Sequence, residues 1–563
     1  MLQDIYLSRP FKTRNADEYD LSEVLQLFVN PLDGLTTPFD FENSIIKGRM
    51  GSGKTMYLRA NHAYYLYSLL PALEAREPVI LPVLIRLSDF QHIVSPQEIY
   101  RAVVVKVIEE LTSIYEHLQN TVHLAQIHMG MKALVSDPAY THKMSATLRS
   151  LLKLGSDEYV DRLTSEIGLK GGAKPGFFEL SAEYKHTRFT EVKQKPNPGI
   201  KDVEECYRRL FGEGETKILL LIDEAGALDK RFFREADGTS LFEVMMNQFR
   251  TANFMRTKIA LYPHSYSDIL TETRYGDVVK LEESIYDITG YEGLRKRTLE
   301  IIANYISRSE KPVAAADVFE INEQGLFADG IEQIIYASNG NLRRLIQLLD
   351  GAMNEAYIMH KGTGKVSSLH VLSAMRKNSQ RQEEQYSQLD REFLDTLSTV
   401  CKNRSTFRFQ FPYMSPVLSK FTNRSQEFNV INVIEIGTGR KGTTYAFDYS
   451  FCVNHDIPTH YLKKSEKIDR ARSLAEGEWI TRTTTVSADV IEQAKIPGKL
   501  AGTVEFVSGN SAFIIGEDKN TYFTSIEYII EADQGKHFVI GKSVRFYPTN
   551  FDSSFIAMAI EVL

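Results

Sequence analysis

The sequence predicts an α/β chain. A P-loop core built on a parallel sheet is followed by a helical lid, a mixed helix-and-strand module and a small all-β barrel. Three observations carry this: a glycine-rich loop in Asn43–Ala60, an aliphatic run ending in two carboxylates at Ile218–Glu224, and closely spaced short strands after Leu500. The 563 residues are enough for several domains, each with its own core. With 43% hydrophobic and 25% charged residues the composition is that of a globular protein, which excludes collagen-like, mucin-like and wholly disordered chains.

Gly48, Gly51, Gly53, Lys54 and Thr55, with Ser52 and Met56 beside them, satisfy GxxxxGK[ST]. A polyphosphate is a dense anion, and holding it requires backbone N–H groups aimed inward from a helix start, with no Cβ in the way. In such a loop Lys54 reaches the β- and γ-phosphates and Thr55 ligates Mg2+ through its hydroxyl, so the cofactors expected are ATP and Mg2+. The short apolar run Ser44–Ile46 before the loop reads as a strand, and Met56–Tyr65 after it as a helix. Ile218–Glu224, ILLLIDE, is uninterrupted by polar residues until its end, as a strand covered on both faces must be. At its edge Asp223 is placed to hold the magnesium shell and Glu224 to orient and deprotonate an attacking water.

The aliphatic run ending in Asp-Glu resembles that of the AAA+ and STAND ATPases. Ala337–Leu349, with Gly340, Asn341, Arg343 and Arg344, resembles a sensor-2 helix start. The order of elements narrows the resemblance to Orc/Cdc6-like AAA+ ATPases over roughly residues 9–380. It implies a nucleotide-binding core over 1–288, a helical lid over 289–380, Arg343 as the γ-phosphate contact, and Arg14, in an opening Arg9-Pro10-Phe11 segment, near the adenine. Val79–Leu87 is then the second sheet strand and Lys258–Pro263 the sensor-1 strand. Tyr262-Pro263-His264 stands where the family usually carries a polar residue, leaving His264 or Ser265 for that role. Lys54 and Asp223 lie further apart than a minimal core needs, which predicts an insertion over about 118–198. Arg274 is the candidate arginine finger acting on a neighbouring copy, with Arg250 and Arg256 as rivals, so a homo-oligomer is expected.

Beyond residue 385, Leu389, Phe393, Leu394, Leu397 and Val400 form a helical apolar stripe, and two strands flank Gly437–Gly442. The module at 385–455 resembles a winged helix, with Arg440 and Lys441 at the wing tip. From Cys401 to Ser450 seven Lys/Arg face three acids, a local excess on a chain of net charge −7, as phosphate-backbone contact requires. Packing or protein docking is the competing reading of that module. Residues 456–495 read as a linker. Residues 496–563 resemble a cold-shock/OB barrel, which implies base stacking on Phe506, Phe513 and Tyr522. Ser511 and Thr524 depart from that family's pattern, and five basic against eight acidic residues favour protein docking as the alternative.

Three functional readings follow: an ATPase whose nucleotide cycle controls engagement of DNA; a STAND-like switch that assembles with an effector partner, for example in bacterial antiviral defence; and a non-hydrolysing scaffold, against which the intact Lys54, Thr55, Asp223 and Glu224 argue. Three scattered cysteines (Cys206, Cys401, Cys452) exclude a disulfide framework or zinc module and fit a reducing cytoplasm. Val79–Leu87, the longest strongly apolar run, is far short of the ~20 residues of a membrane span, so no membrane partner is expected.

Overall fold

The computed structural model describes residues 2–563 except 33–36, 76, 129–198, 213–215, 229, 234–239, 263–276, 282–287, 308–312, 322–328, 412–417, 419–420, 423–428, 436–442, 460–482, 487–498, 530–532, 534–535 and 552–553. The chain forms two compact units. One comprises Asn15–Gly48 and Gly53–Leu281; the other comprises Met1–Arg14, Arg49–Ser52 and Glu282–Leu563.

The first unit is a five-stranded parallel sheet. Its strands are β1 (Ser44–Lys47), β2 (Ile80–Arg86), β3 (Lys217–Asp223), β4 (Met255–Leu261) and β5 (Asp277–Lys280), in the order β2-β3-β4-β1-β5. The composition of β3 explains its place beside the centre. Ile218, Leu220 and Ile222 join a core with Val103, Val107, Phe242 and Met245, while Leu219 and Leu221 join another with Tyr57, Leu58 and Tyr65. Successive side chains thus enter different apolar layers, and no position can be polar until the strand ends.

The helix after the loop spans Lys54–Ala75, well past the expected Tyr65 and through Pro71. Leu66 and Leu69 extend its buried face, and that packing carries the helix on. Within the stretch expected to be an insertion, Leu118–His128 is the end of the helix Pro96–His128, and residues 129–198 lie outside the described residues.

The second unit opens with the helix Leu2–Ser8 and continues with the helices Ile288–Ile306, Gly330–Ser338, Leu342–His360, Ser368–Glu383 and Gln388–Asn403. In Gln388–Asn403 the expected apolar stripe is corrected at one end. Phe393, Leu394 and Leu397 are buried, but Leu389 is exposed and Cys401 extends the seam. A four-stranded sheet follows, β7 (Ile431–Glu435), β8 (Thr443–Phe447), β6 (Arg408–Phe411) and β9 (Thr484–Thr485), in that order. β9 lies inside the stretch expected to be a linker, where it pairs in parallel with β6.

β10 (Leu500–Ser508), β11 (Ser511–Gly516), β12 (Thr521–Ser525), β13 (Ser543–Phe551) and β14 (Ser554–Val562) close into a barrel ordered β10-β11-β12-β14-β13, in which only the β12–β14 pair is parallel. Val504, Ile514, Tyr522, Val544, Phe546 and Ile560 fill it. The three cysteines are free and buried, and no helix among the described residues is long and apolar enough to cross a membrane.

Candidate nucleotide site

β1 ends at Lys47, and helix geometry resumes at Lys54. The turn between them needs Gly51 at φ 81° and Gly53 at φ 95°, where a side chain would be strained. The Lys54 ammonium donates to the Gly48 carbonyl at 2.7 Å and lies 4.1 Å from the centroid of the Tyr262 ring. One residue on, the Thr55 hydroxyl hydrogen-bonds the Asp223 carboxylate, which a further parallel strand has carried to the same sheet edge. Burial pushes the Asp223 carboxyl above its ordinary range, opposed by hydrogen bonds from Thr55 and the Glu224 N–H and by the charge of Lys54. A divalent cation would reverse that shift, since it favours the ionised form.

Glu224 leaves the strand in the left-handed region (φ 57°, ψ 34°), a conformation that costs a non-glycine residue about 1–2 kcal/mol. Its N–H turns back onto Asp223 Oδ1 at 2.8 Å, and its carboxylate accepts a hydrogen bond from Ser88, just beyond β2. Ser88 had no signal in the sequence; only the pairing of β2 with β3, Arg86 beside Asp223, brings it there.

The loop's apex, Arg49–Ser52, belongs to the second unit. There the Asn341 amide donates to the Met50 carbonyl at 2.7 Å, the Arg343 N–H to the Gly51 carbonyl at 3.1 Å, and the Arg49 guanidinium to the Asn339 carbonyl at 3.0 Å. Arg343 therefore meets the loop through its backbone. Its neighbour Arg344 is 1% exposed and forms a bidentate pair with Asp448, 2.6 Å on each arm, and a 3.1 Å bond to Ser450.

Two features of the loop fit an anion. Ser52 is 2% exposed, and its hydroxyl has no hydrogen-bond partner among the described residues. Two glycines at positive φ, Gly51 and Gly53, just before a helix start suit a loop whose N–H groups turn toward a phosphate. Lys54, Thr55 and Asp223 supply the cation and the hard oxygen donors that a magnesium nucleotide needs.

Other expected residues fall as follows. Met56 is in the first turn of the helix from Lys54. Arg14 lies 3.9 Å from Asp350, which Arg9 engages with both carboxylate oxygens at 2.9 and 3.2 Å. The Arg256 guanidinium donates to the Met255 carbonyl and lies 5.7 Å from the centre of the Phe41 ring. Arg274, His264, Ser265, Arg440 and Lys441 lie outside the described residues.

On the barrel, Phe506 and Phe513 are exposed and in register across β10 and β11, but Tyr522 is not beside them. It is 2% exposed and packs on Phe546 inside the barrel, where burial pushes its hydroxyl up to about 12. The third ring of the outer row is Phe523, paired with Phe513 across β11 and β12 with ring centroids 5.6 Å apart. Thr524 points inward and donates to the Ala557 carbonyl.

Residues 9–86 match the family model described as ORC-CDC6-like. No curated protein matches the sequence. Among solved structures, the ORC1 protein of Aeropyrum pernix in complex with DNA overlaps 81% of this chain and 96% of its own, at 11% identity and TM-score 0.30. The ORC2 protein of the same organism overlaps 77% and 89% at 10% identity and TM-score 0.33. Cdc6p of Pyrobaculum aerophilum overlaps 79% and 94% at 13% identity and TM-score 0.25. At these scores the overlaps assign no residue and no activity to this chain. The N-terminal segment that carries the P-loop is, over residues 9–86, similar to the ORC-CDC6-like family.

Proposed function

We propose that this protein is a Mg-ATP-dependent ATPase of the AAA+ type, Orc/Cdc6-like, whose nucleotide cycle controls its engagement of DNA. The observation that carries the reading is the Thr55–Asp223 hydrogen bond, with Lys54 one residue before Thr55 and Glu224 one residue after Asp223. Lys54 would take the β- and γ-phosphates, Thr55 and Asp223 the magnesium shell, and Glu224 the attacking water, with Arg343 as the lid's candidate contact. Bound Mg2+ supplies charge neutralisation at the transferring phosphoryl group. Residues 385–455 would act as a winged helix. Arg274 would act across a homo-oligomer interface.

A second element of this reading is single-strand binding by the barrel. The in-register row of exposed Phe506 and Phe513 with half-buried Phe523 supports it, since bases stack on aromatic rings of an outer face. The strand order, with its parallel β12–β14 closure, supports an OB-like reading of the barrel. Nothing among the described residues favours the partner-assembly switch.

The test is ATP turnover with and without double- and single-stranded DNA. Glu224→Gln should retain Mg-ATP binding and lose at least ~100-fold in turnover; Lys54→Ala should lose binding. Wild-type turnover unaffected by either substitution would remove the reading, and turnover indifferent to DNA, with no salt-sensitive binding, would remove its DNA half.

A further inference from the structure

The residue at the end of β4 has an arrangement that no motif requires. Tyr262 directly follows Leu261, and its ring lies against two residues of the site. On one face is the Lys54 ammonium, 4.1 Å from the ring centroid. Against its edge is Gly226, two residues after Glu224: a Cβ on Gly226 would stand 2.2 and 2.4 Å from ring carbons of Tyr262. Gly226 is not at positive φ, so backbone conformation does not explain the glycine there. The ring does.

Lys54 is 8% exposed. A nearly buried ammonium needs its three N–H directions filled, and a long lysine side chain has many rotamers to lose. The Gly48 carbonyl accepts one N–H at 2.7 Å, and the ring face receives positive charge in the geometry of a cation–π contact. A carbonyl and a ring together fix where the ammonium sits before any anion arrives.

We propose that Tyr262 is a positioning residue for Lys54: its ring, admitted by Gly226, holds the ammonium at the loop and so sets the loop's affinity for a nucleoside triphosphate. The inference rests on the polyphosphate reading of the loop. It requires the π face and not the hydroxyl. The phenol oxygen is therefore dispensable, and the electron density of the ring is not.

The experiment is a Mg-ATP binding isotherm on the full chain, read without turnover. Tyr262→Phe should bind like wild type, and Tyr262→Leu should bind roughly three- to thirty-fold more weakly, the range of one desolvated cation–π contact. Gly226→Ala, which pushes the ring aside while leaving it in the chain, should weaken binding similarly, and combining it with Tyr262→Leu should add little. Phenylalanines carrying one, two and three ring fluorines at position 262 should weaken binding in steps, a trend that a space-filling ring would not produce. Equal or tighter binding by Tyr262→Leu, or a flat fluorine series, overturns the proposal while leaving the ATP reading intact, provided wild type binds and Lys54→Ala does not. Should wild type itself fail to bind Mg-ATP, both fall.

Discussion

The Arg344–Asp448 pair permits a quantitative test of how the second unit is held together. Both side chains are 1% exposed, and the two contacts are 2.6 Å each. Asp448 has further partners: as N-cap of the helix Tyr449–Asn454 it accepts from the Ser450 and Phe451 N–H groups at 2.9 and 3.4 Å. Removing one member of a buried ion pair leaves the other charge uncompensated, at about 3–5 kcal/mol. Loss of a cap adds about 1 kcal/mol. Asp448→Ala should therefore destabilise by about 4–6 kcal/mol. Arg344→Met should cost less than Asp448→Ala, because the Asp448 carboxylate keeps two backbone donors. Arg344→Met with Asp448→Ala removes both charges and should cost well under the sum of the two singles, giving a coupling energy of about 3 kcal/mol or more. The assay is urea unfolding followed by circular dichroism on wild type, both singles and the double. Single substitutions costing under about 1 kcal/mol, or effects that simply add, would refute the buried-pair argument.

Other outcomes follow from the same reasoning. His117 is buried, and desolvation pushes its imidazole down to about 4. The unfolded chain takes up a proton below about pH 6.5 that the folded chain refuses until about pH 4. Stability should thus fall as pH falls through that window, by up to ~1.4 kcal/mol per pH unit, and His117→Met should flatten the slope in urea midpoints taken from pH 7 to 5. Ser88→Ala frees the Glu224 carboxylate from a donated hydrogen bond and should raise basal ATP turnover about fivefold, for a contribution near 1 kcal/mol; unchanged or slower turnover would contradict a restraining role. On the barrel, Phe523→Ala should weaken single-stranded oligonucleotide binding by about 1–3 kcal/mol at unchanged melting temperature. Tyr522→Ala should instead cost about 3–5 kcal/mol of barrel stability, and the reverse pattern would rule out the outer row as the stacking face.

What the sequence conveyed and what it hid divide along a physical line. The loop and β3 were legible because their constraints are local. Positive φ demands glycine at 51 and 53, and a strand entering two apolar layers demands aliphatics until Asp223. Tyr522 and Phe523 were exchanged because strand facing has a period of two, and a displacement of one residue reverses it. Nothing in TYFTS itself names the inward ring: the filling of the barrel by Phe546 decides it, together with a bulge between Val504 and Phe506 that turns Phe506 outward. Arg343 and Arg344 are adjacent on a helix and so point about 100° apart. Which one is buried depends on Asp448, 104 residues away, a pairing that no local pattern encodes. β9 is two residues long and exists only through its pairing with β6, so no run of strand-forming residues announces it.

Gly51 illustrates how a motif residue can answer to two constraints at once. Its φ of 81° alone disfavours any side chain. Independently, a Cβ there would stand 2.5 to 2.9 Å from the Asn341 side-chain amide. That amide is itself committed at both ends, donating to the Met50 carbonyl and accepting from the Arg344 N–H at 3.0 Å as the N-cap of Leu342–His360. It cannot withdraw without uncapping the helix that carries Arg343 and Arg344. The apex of the phosphate-type loop is therefore fitted to a helix start before any anion is considered, and glycine at 51 is required by packing as well as by its backbone conformation. The glycine pattern by itself is thus weaker support for nucleotide binding than the meeting of Thr55 with Asp223, which no backbone constraint demands and which is the geometry a magnesium site needs.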